Sequence, residues 1–210
     1  MSEDNYQSTS KRTKHFPYFA HIKKNKDGSW AEPHPLIDHL NSTAELASRF
    51  AENFKNSDWA ELIGLLHDLG KYHPDWQKYI RKETGYFDED AHIEVEGYAS
   101  RPNHSTAGAI YIFEKFKNSP MAKALVYAIA GHHTGLPDYT PQLSQRIFNE
   151  NGKLITEDLD KIKSIEEAKQ FLETPTPKSN PPFFKNNNVD NEQIHLWIRM
   201  LFSCLVDADF

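Results

Sequence analysis

The chain has 210 residues, of which 38% are apolar and 12% aromatic, a balance that suits one globular domain with a sizeable core. No stretch approaches the ~20 consecutive apolar residues that span a bilayer, and the polar N-terminus lacks the apolar core of a signal peptide. The single cysteine, Cys204, excludes an internal disulfide and favours a cytoplasmic location. The net charge of −6 argues against a protein that holds nucleic acid by charge alone.

Basic residues are concentrated at the N-terminus. Residues 1–26 contain six lysines and arginines against two acidic residues, a local excess within an acidic chain. This segment is either an arm that faces phosphate or a solvated tail, and both interpretations stay open. We therefore divide the chain into an N-terminal basic segment, 1–33, and a domain that carries the chemistry, 34–210.

Apolar residues recur at helical spacing along most of the chain, and strand-like alternation is scarce. The pattern predicts helices at 36–54, 59–69, 74–82, 104–117, 121–131 and from Asp190 to the chain end, with shorter ones at 142–148 and 165–172. A polar loop or insertion is expected at 83–103 and an irregular, proline-rich segment at 174–188. The predicted fold class is mainly α.

Capping residues define several of these helix ends. Asp58 with Glu61 has the pattern of a capping box that opens the second helix, and Gly70 can end it. Ser119 is expected to cap the fifth helix, with Pro120 at its first position. These signals predict where the second and fifth helices begin and where the second ends.

Side chains that can bind metal stand at or near the ends of the predicted helices. They are His39, His67, Asp68, His104, His132, His133 and Asp209. Burying an unpaired carboxylate at Asp68, with Leu65 and Leu69 within one turn, costs several kcal/mol, and a divalent cation removes that cost. Imidazole nitrogens suit transition metals. Because a one-metal site needs about four ligands, seven candidates predict two metals.

Ordinary structural roles compete with this interpretation. A lone histidine on an apolar face, such as His39, is more often a hydrogen-bonded core residue than a ligand. The pair His132 and His133 can also cap the negative end of a helix dipole. The ordered set of ligand types, all at apolar helix ends, favours the metal site.

On the last helix we expect Asp209, and not Asp207, to be the ligand. Asp209 shares the buried face of Leu201 and Leu205, and Asp207 lies about 160° away. The remaining histidines are assigned to turns, to the charged N-terminal segment, to the loop or to solvent-facing positions. They are His15, His21, His34, His73, His92 and His195.

The ordered set of His, His-Asp, His, His-His and Asp resembles the HD phosphohydrolase superfamily, whose minimal form binds one metal. Within it, the chain looks most like the HD nuclease domain of the CRISPR-associated helicase-nuclease of type I systems. Matching stretches extend from His34 to the chain end, apart from the loop after Lys82 and residues 139–190. The narrower resemblance is carried by the stretches HDLGKYHPDWQKY and SCLVDADF.

The resemblance implies an HD-domain helical bundle with a bimetal site at helix ends. The first metal would be held by His39, His67, Asp68 and Asp209, and the second by Asp68, His104, His132 and His133. Lys71 would contact the scissile phosphate or the charge that develops on it. The alternative for Lys71 is an ordinary lysine in the last turn of a helix. Asp68 and Lys71 are thus the candidate catalytic residues.

The activity implied by the resemblance is hydrolysis of single-stranded DNA in type I CRISPR interference, an antiviral defence. It would use two divalent ions (Mn, Fe, Ni, Co or Mg). The implied partners are single-stranded DNA, a helicase domain or subunit and the CRISPR RNA-guided surveillance complex, with no membrane. Because the sequence stops at Phe210, inside an apolar helix, we expect it to be the N-terminal part of a longer chain.

Two other function classes stay open. The first is a small-molecule enzyme of the same superfamily, either a nucleotide phosphohydrolase or a cyclic-dinucleotide phosphodiesterase. The GYP signature of the cyclic-dinucleotide branch is absent from the sequence. The second is a non-enzymatic, metal-stabilised docking module, which a complete ligand set with a bridging carboxylate argues against.

Overall fold

Helices occupy most of the chain that the computed structural model describes, namely residues 18–86, 101–116, 119–136, 138–181 and 191–210. The α-helices of these residues are α1 Leu36–Ala51, α2 Ser57–Leu66, α3 Pro74–Thr84, α4 Thr106–Lys115, α5 Pro120–Gly131, α6 Ser144–Ile147, α7 Glu157–Lys163, α8 Glu166–Leu172 and α9 Asn191–Asp209. The mainly α fold class is confirmed. None of these helices is both long enough and apolar enough to cross a membrane.

The centre of the fold is α1, which packs against α2 on one side and α9 on the other, while α5 packs against α4 and α9. Apolar residues at helical spacing form the buried face of each helix. On α1 and α9 these residues are Leu36, Leu40, Ala44, Ala47, Trp197, Leu201 and Leu205. The packing brings the start of α1, the ends of α2, α5 and α9, and the segment before α4 to one place.

Helix α2 differs from its prediction at both ends. It begins at Ser57 and ends at Leu66, and the 3-10 turn Leu69–Tyr72 follows. The predicted capping box is wrong, because the Asp58 carboxylate accepts hydrogen bonds from the backbone N–H groups of Lys178 and Ser179 (both 2.7 Å). These partners lie about 120 residues away in sequence, so a long-range contact outcompetes the local cap.

Gly70 lies in this 3-10 turn and allows a close approach between two chain segments. A Cβ at this position would lie 2.1 Å from the backbone oxygen of His104. Gly108 on α4 has the same property, because its Cβ would lie 2.0 Å from the backbone oxygen of Leu66. The two glycines therefore set the spacing between the end of α2 and the start of α4.

Other boundaries follow the sequence more closely. Ser119 caps α5 as predicted, since its hydroxyl accepts a hydrogen bond from the N–H of Ala122. Residues 174–181 are irregular, as predicted. Helix α7 was not predicted, and α6 follows a π turn at Tyr139–Leu143. Residues 1–17, 87–100, 182–190 and the ends predicted at 117 and Asp190 lie outside the described residues.

A short antiparallel pair precedes α1 and was also not predicted. It consists of β1 Phe19–His21 and β2 His34–Pro35. Ala20 and Ile22 are buried on either side of the half-buried His21, but Phe19 is buried as well, so the alternation is incomplete. With so few residues, the signal is too short to register against the helical pattern.

The tight contact at Gly108 gives a testable consequence for stability. We expect Gly108→Ala to lower the free energy of unfolding by about 1–3 kcal/mol, because overpacking against the α2 backbone outweighs the ~1 kcal/mol gain in helix propensity. Chemical denaturation followed by circular dichroism measures the change. The exposed Asn41→Ala on α1 is the control and should unfold like the wild type. Equal stability of the Gly108 variant would contradict the close packing of α4 on α2.

Candidate metal centre

The seven side chains predicted to bind metal come together in two groups that share Asp68. The first group is His39, His67, Asp68 and Asp209, and the second is Asp68, His104, His132 and His133. Within each group the potential ligand atoms all lie within 4.8 Å of one another. Each group therefore has the composition and spacing of a site for one ion.

Different elements supply the members of each group. His39 lies on the first turns of α1, and Asp209 is the last residue of α9. His67 follows α2 directly, and Asp68 leaves the helix with φ −109° and ψ 19°. Neighbours on an α-helix point about 100° apart, so this departure allows His67 and Asp68 to face the same centre.

The first group is compact. The Nε2 atom of His39 lies 3.2 Å from His67 Nε2, from Asp68 Oδ2 and from Asp209 Oδ1. His67 Nε2 lies 3.2 Å from Asp209 Oδ1 and 3.4 Å from Asp68 Oδ2. Separations of about 3 Å are those of adjacent ligands bonded to one ion at roughly 2.1 Å.

The second group contains buried polar atoms that have no hydrogen-bond partner among the described residues. They are Asp68 Oδ1, His104 Nε2 and His132 Nε2. Asp68 Oδ1 lies 3.4 Å from His132 Nε2 and 3.5 Å from His104 Nε2. Leaving three such atoms unsatisfied in the interior costs a few kcal/mol each, and a shared cation removes the cost. The donor set therefore fits a divalent metal.

Hydrogen bonds orient two of the histidines. The Nδ1–H of His67 donates to the backbone oxygen of Gly64 at 2.7 Å. The Nδ1–H of His132 donates to the backbone oxygen of Ile129 at 2.6 Å. Because a carbonyl can only accept, each ring presents Nε2 toward the centre, which is the usual way a protein fixes a metal-binding imidazole.

The charges of the centre are strongly coupled. Burial alone would raise the pKa of Asp68, but the neighbouring His67 and Lys71 hold that pKa well below its usual range. Burial alone would lower the pKa of His67, but Asp68 and Asp209 raise it to about 9. Burial lowers the pKa of His104 to about 3 and that of His133 to about 4. The two carboxylates therefore favour the protonated form of His67.

Lys71 reaches the centre through the 3-10 turn and not through a continued helix. Its amine lies 2.6 Å from Asp68 Oδ2, and the side chain is 2% exposed. The turn is closed by the Lys71 N–H, which donates to the backbone oxygen of Asp68 at 2.8 Å. Lys71 lies in the last turn of this 3-10 helix, as the alternative interpretation also expects, and its contact with a phosphate stays a prediction.

Asp209 and Asp207 occupy the positions expected from the helical phase of α9. Asp209 is within reach of His39 and His67, and its side chain is 14% exposed. Asp207 is exposed, and its carboxylate lies 3.5 Å from the hydroxyl of Ser203. The structure thus brings Asp209, and not Asp207, to the other candidate ligands.

Three residues beside this centre were not expected from the sequence. His21, Lys23 and His34 line a cavity of about 510 Å³ together with His39, His133 and Asp209. The sequence predicts His21 in the charged N-terminal segment and His34 in a turn, and neither prediction places them at the centre. The signal that could have identified His21 and Lys23 is their alternation with the buried Ala20 and Ile22.

Arg146 is a further residue that the sequence did not single out. It donates to the backbone oxygen of Ala130 at 3.0 Å and to the hydroxyl of Ser105 at 2.8 Å. Ser105 follows His104, and Ala130 lies two residues before His132. Arg146 therefore ties together the two segments that carry the histidines of the second group.

Comparison with known proteins agrees with this architecture. The HD domain family matches residues 36–169, which is well over half of the chain, and the chain therefore belongs to the HD domain family. None of the curated proteins matches it significantly. Membership implies a metal-dependent phosphohydrolase, so the predicted superfamily is confirmed. The matched range includes every candidate ligand except Asp209.

Metal binding should displace a proton from the centre. At about pH 8 His67 is protonated, because its pKa is raised to about 9, whereas His104 and His133 are already neutral. We expect binding to release about one proton per chain. Isothermal titration calorimetry in buffers of different ionisation enthalpy measures this number. Heats that are identical in all buffers would contradict the protonated state of His67.

The two groups should bind one ion each. We expect replacement of both His132 and His133 by Ala to halve the metal content, because the second group then keeps only two of its four ligands, while the fold is retained. Elemental analysis of purified protein measures the ratio of metal to chain. His195→Ala removes an exposed histidine of α9 and is the control. Full metal content in the double variant would rule out the bimetal centre.

Proposed function

We propose that this chain is a metal-dependent nuclease that hydrolyses phosphodiester bonds of single-stranded DNA in type I CRISPR interference. The observation that carries the proposal is the buried Asp68 carboxylate, shared by two ligand groups beside an accessible cavity of about 510 Å³. A site that only stabilised the fold would gain nothing from open space beside its ligands. Substrate access is what a catalytic centre requires.

The residues of the chain have distinct tasks in this proposal. The first ion would be held by His39, His67, Asp68 and Asp209, and the second by Asp68, His104, His132 and His133. Divalent ions held there would polarise a phosphate ester and acidify water, the chemistry of phosphoester hydrolysis. Asp68 is fully buried, and the neighbouring His67 and Lys71 keep it anionic between the two groups.

Lys71 contributes positive charge at the same point. Its amine lies 2.6 Å from Asp68 Oδ2, so it compensates the carboxylate and offers hydrogen-bond donors to a phosphate that enters the centre. Preorganised charge of this kind stabilises negative charge that develops during reaction. Because the lysine is buried, its position requires no reorganisation when substrate arrives.

The choice of single-stranded DNA is supported by the narrower resemblance of HDLGKYHPDWQKY and SCLVDADF to the CRISPR-associated nuclease domain. A centre at helix ends must receive a phosphate flanked on both sides, which a flexible unpaired strand permits more easily than a stiff duplex. The net charge of −6 implies weak, salt-sensitive binding. Delivery of unwound strand by a helicase domain or subunit, recruited to the RNA-guided surveillance complex, would raise its local concentration.

The activity can be tested on a labelled oligonucleotide with manganese, nickel or iron(II). We expect single-stranded DNA to be cleaved faster than duplex DNA, deoxynucleoside triphosphates or cyclic dinucleotides. Asp68→Ala and Asp209→Asn should lose more than about 100-fold in rate, beyond the ~10–100-fold that outer partners of metal ligands cost. Asp207→Asn is the matched control, two residues away on the same helix and exposed, and it should retain normal activity.

The alternative outcomes are informative. Rapid hydrolysis of a free nucleotide or cyclic dinucleotide beside an intact oligonucleotide would assign the chain to the small-molecule branch of the superfamily. Equal DNA cleavage by the Asp68 variant would identify a contaminating nuclease and remove support for the proposal. Loss of activity in the Asp207 variant with normal Asp209 activity would reject the ligand assignment on α9.

A further inference from the structure

Residues 18–35 form a hairpin beside the metal centre. Its strands pair through His21 and His34, and its tip is closed by hydrogen bonds between Asn25 and Ser29, with Gly28 at φ +86°. Strand alternation directs Ala20 and Ile22 into the core, while His21 and Lys23 line the cavity. The face with Ala20 and Ile22 therefore packs into the core. The face with His21 and Lys23 borders the candidate site.

The hairpin is held in place by a buried polar clamp. The Gln77 side chain accepts from the Phe19 N–H at 3.0 Å and donates to the Phe19 oxygen at 2.9 Å. The same amide donates to the backbone oxygen of Lys71 at 2.7 Å. Arg81 donates to Gln77 Oε1 at 2.8 Å and lies over the Phe19 ring. The hairpin is therefore fixed to the turn that carries Lys71.

The cavity face of the hairpin adjoins the first ligand group without belonging to it. The rings of His21 and His34 lie 5.0 and 5.6 Å from the ring of His39, nearly perpendicular to it. Neither histidine is a member of either ligand group. Among the described residues that line the cavity, Asp209 is the only acid, and it is already a member of the first group.

This wall offers a cation and two imidazoles at the edge of the site. Lys23 is exposed and free to extend into the cavity, and imidazole N–H groups donate hydrogen bonds. This wall of hydrogen-bond donors lies next to a centre that would bind one phosphoester. It is therefore suited to bind a second anionic group of the same substrate. In a polynucleotide the neighbouring phosphodiester is that group.

We infer that the cavity face of the hairpin, formed by His21, Lys23 and His34, binds a phosphate of the DNA strand next to the scissile one. This inference rests on the proposed function, because only a polymeric substrate continues past the metal centre along this wall. Lys23 supplies the charge, and the two histidines supply hydrogen bonds. Part of the N-terminal basic segment thereby becomes a strand-binding element instead of a solvated tail.

The test measures binding separately from cleavage. Fluorescence anisotropy of a labelled single-stranded oligonucleotide is recorded with EDTA over a range of salt concentrations, for the wild type and for Lys23→Ala. We expect Lys23→Ala to weaken binding about 3–10-fold at low salt. It should also reduce the slope of log K against log salt by about 0.7, the value for one phosphate contact on a single strand.

Two further variants test whether weaker oligonucleotide binding arises from residues that line the cavity. Lys26→Ala removes an exposed lysine of the same hairpin that does not line the cavity, and we expect it to bind as the wild type does. His34→Ala should weaken binding without changing the salt slope, because an uncharged imidazole donates a hydrogen bond but releases no counterion.

The outcomes separate this inference from the proposed function. Equal losses for Lys23→Ala and Lys26→Ala, or no measurable binding by the wild type, would overturn the role of the hairpin whatever the cleavage assay gives. A wild type that binds in a Lys23-dependent way but leaves DNA intact when metal is added would sustain the hairpin site and refute the nuclease.

Discussion

A carboxylate with no exposed surface, Asp68, is the group around which the rest of this structure is organised. Isolated in the interior, it would be too costly to keep ionised. Three kinds of partner offset that cost. The Lys71 amine and the histidines of the first group contact Oδ2. The histidines of the second group face Oδ1. Among these partners, and within the part of the chain that the structure describes, only the second set leaves its polar atoms unsatisfied. This asymmetry marks the place where a cation would complete the network.

The surrounding fold can be understood as the means of bringing distant segments to that carboxylate. Glycine at positions 70 and 108 removes the Cβ atoms that would separate the end of α2 from the start of α4. Arg146 joins the segment after His104 to the end of α5. Gln77 joins the N-terminal hairpin to the turn of Lys71. Each of these contacts lies outside the candidate ligand set, yet each fixes the relative position of segments that carry candidate ligands or line the cavity.

Charge is distributed unevenly between the centre and its surroundings. The chain as a whole is acidic, and a polyanion would gain little by binding to its general surface. The acidic groups at the centre are committed to histidines and to Lys71, whereas the hairpin side of the cavity presents Lys23 and imidazoles. A phosphate group is therefore disfavoured by the net charge and would find hydrogen-bond donors on the hairpin side of the cavity. Such an arrangement favours binding of a phosphate group at the cavity over non-specific binding of a polyanion to the rest of the surface.

The sequence by itself determined the helical fold class, the approximate extent of most helices and the residue types gathered at helix ends. These features depend on local periodicity and on the cost of burying a carboxylate, both of which can be judged from neighbouring residues. The phase of α9 likewise placed Asp209 inward and Asp207 outward. Tertiary structure alone decided that Asp58 binds residues 178–179 instead of capping α2, that α2 ends before His67, and that His21 and His34 lie beside His39. Those outcomes depend on contacts between residues far apart in the chain, whose energies a local pattern does not contain.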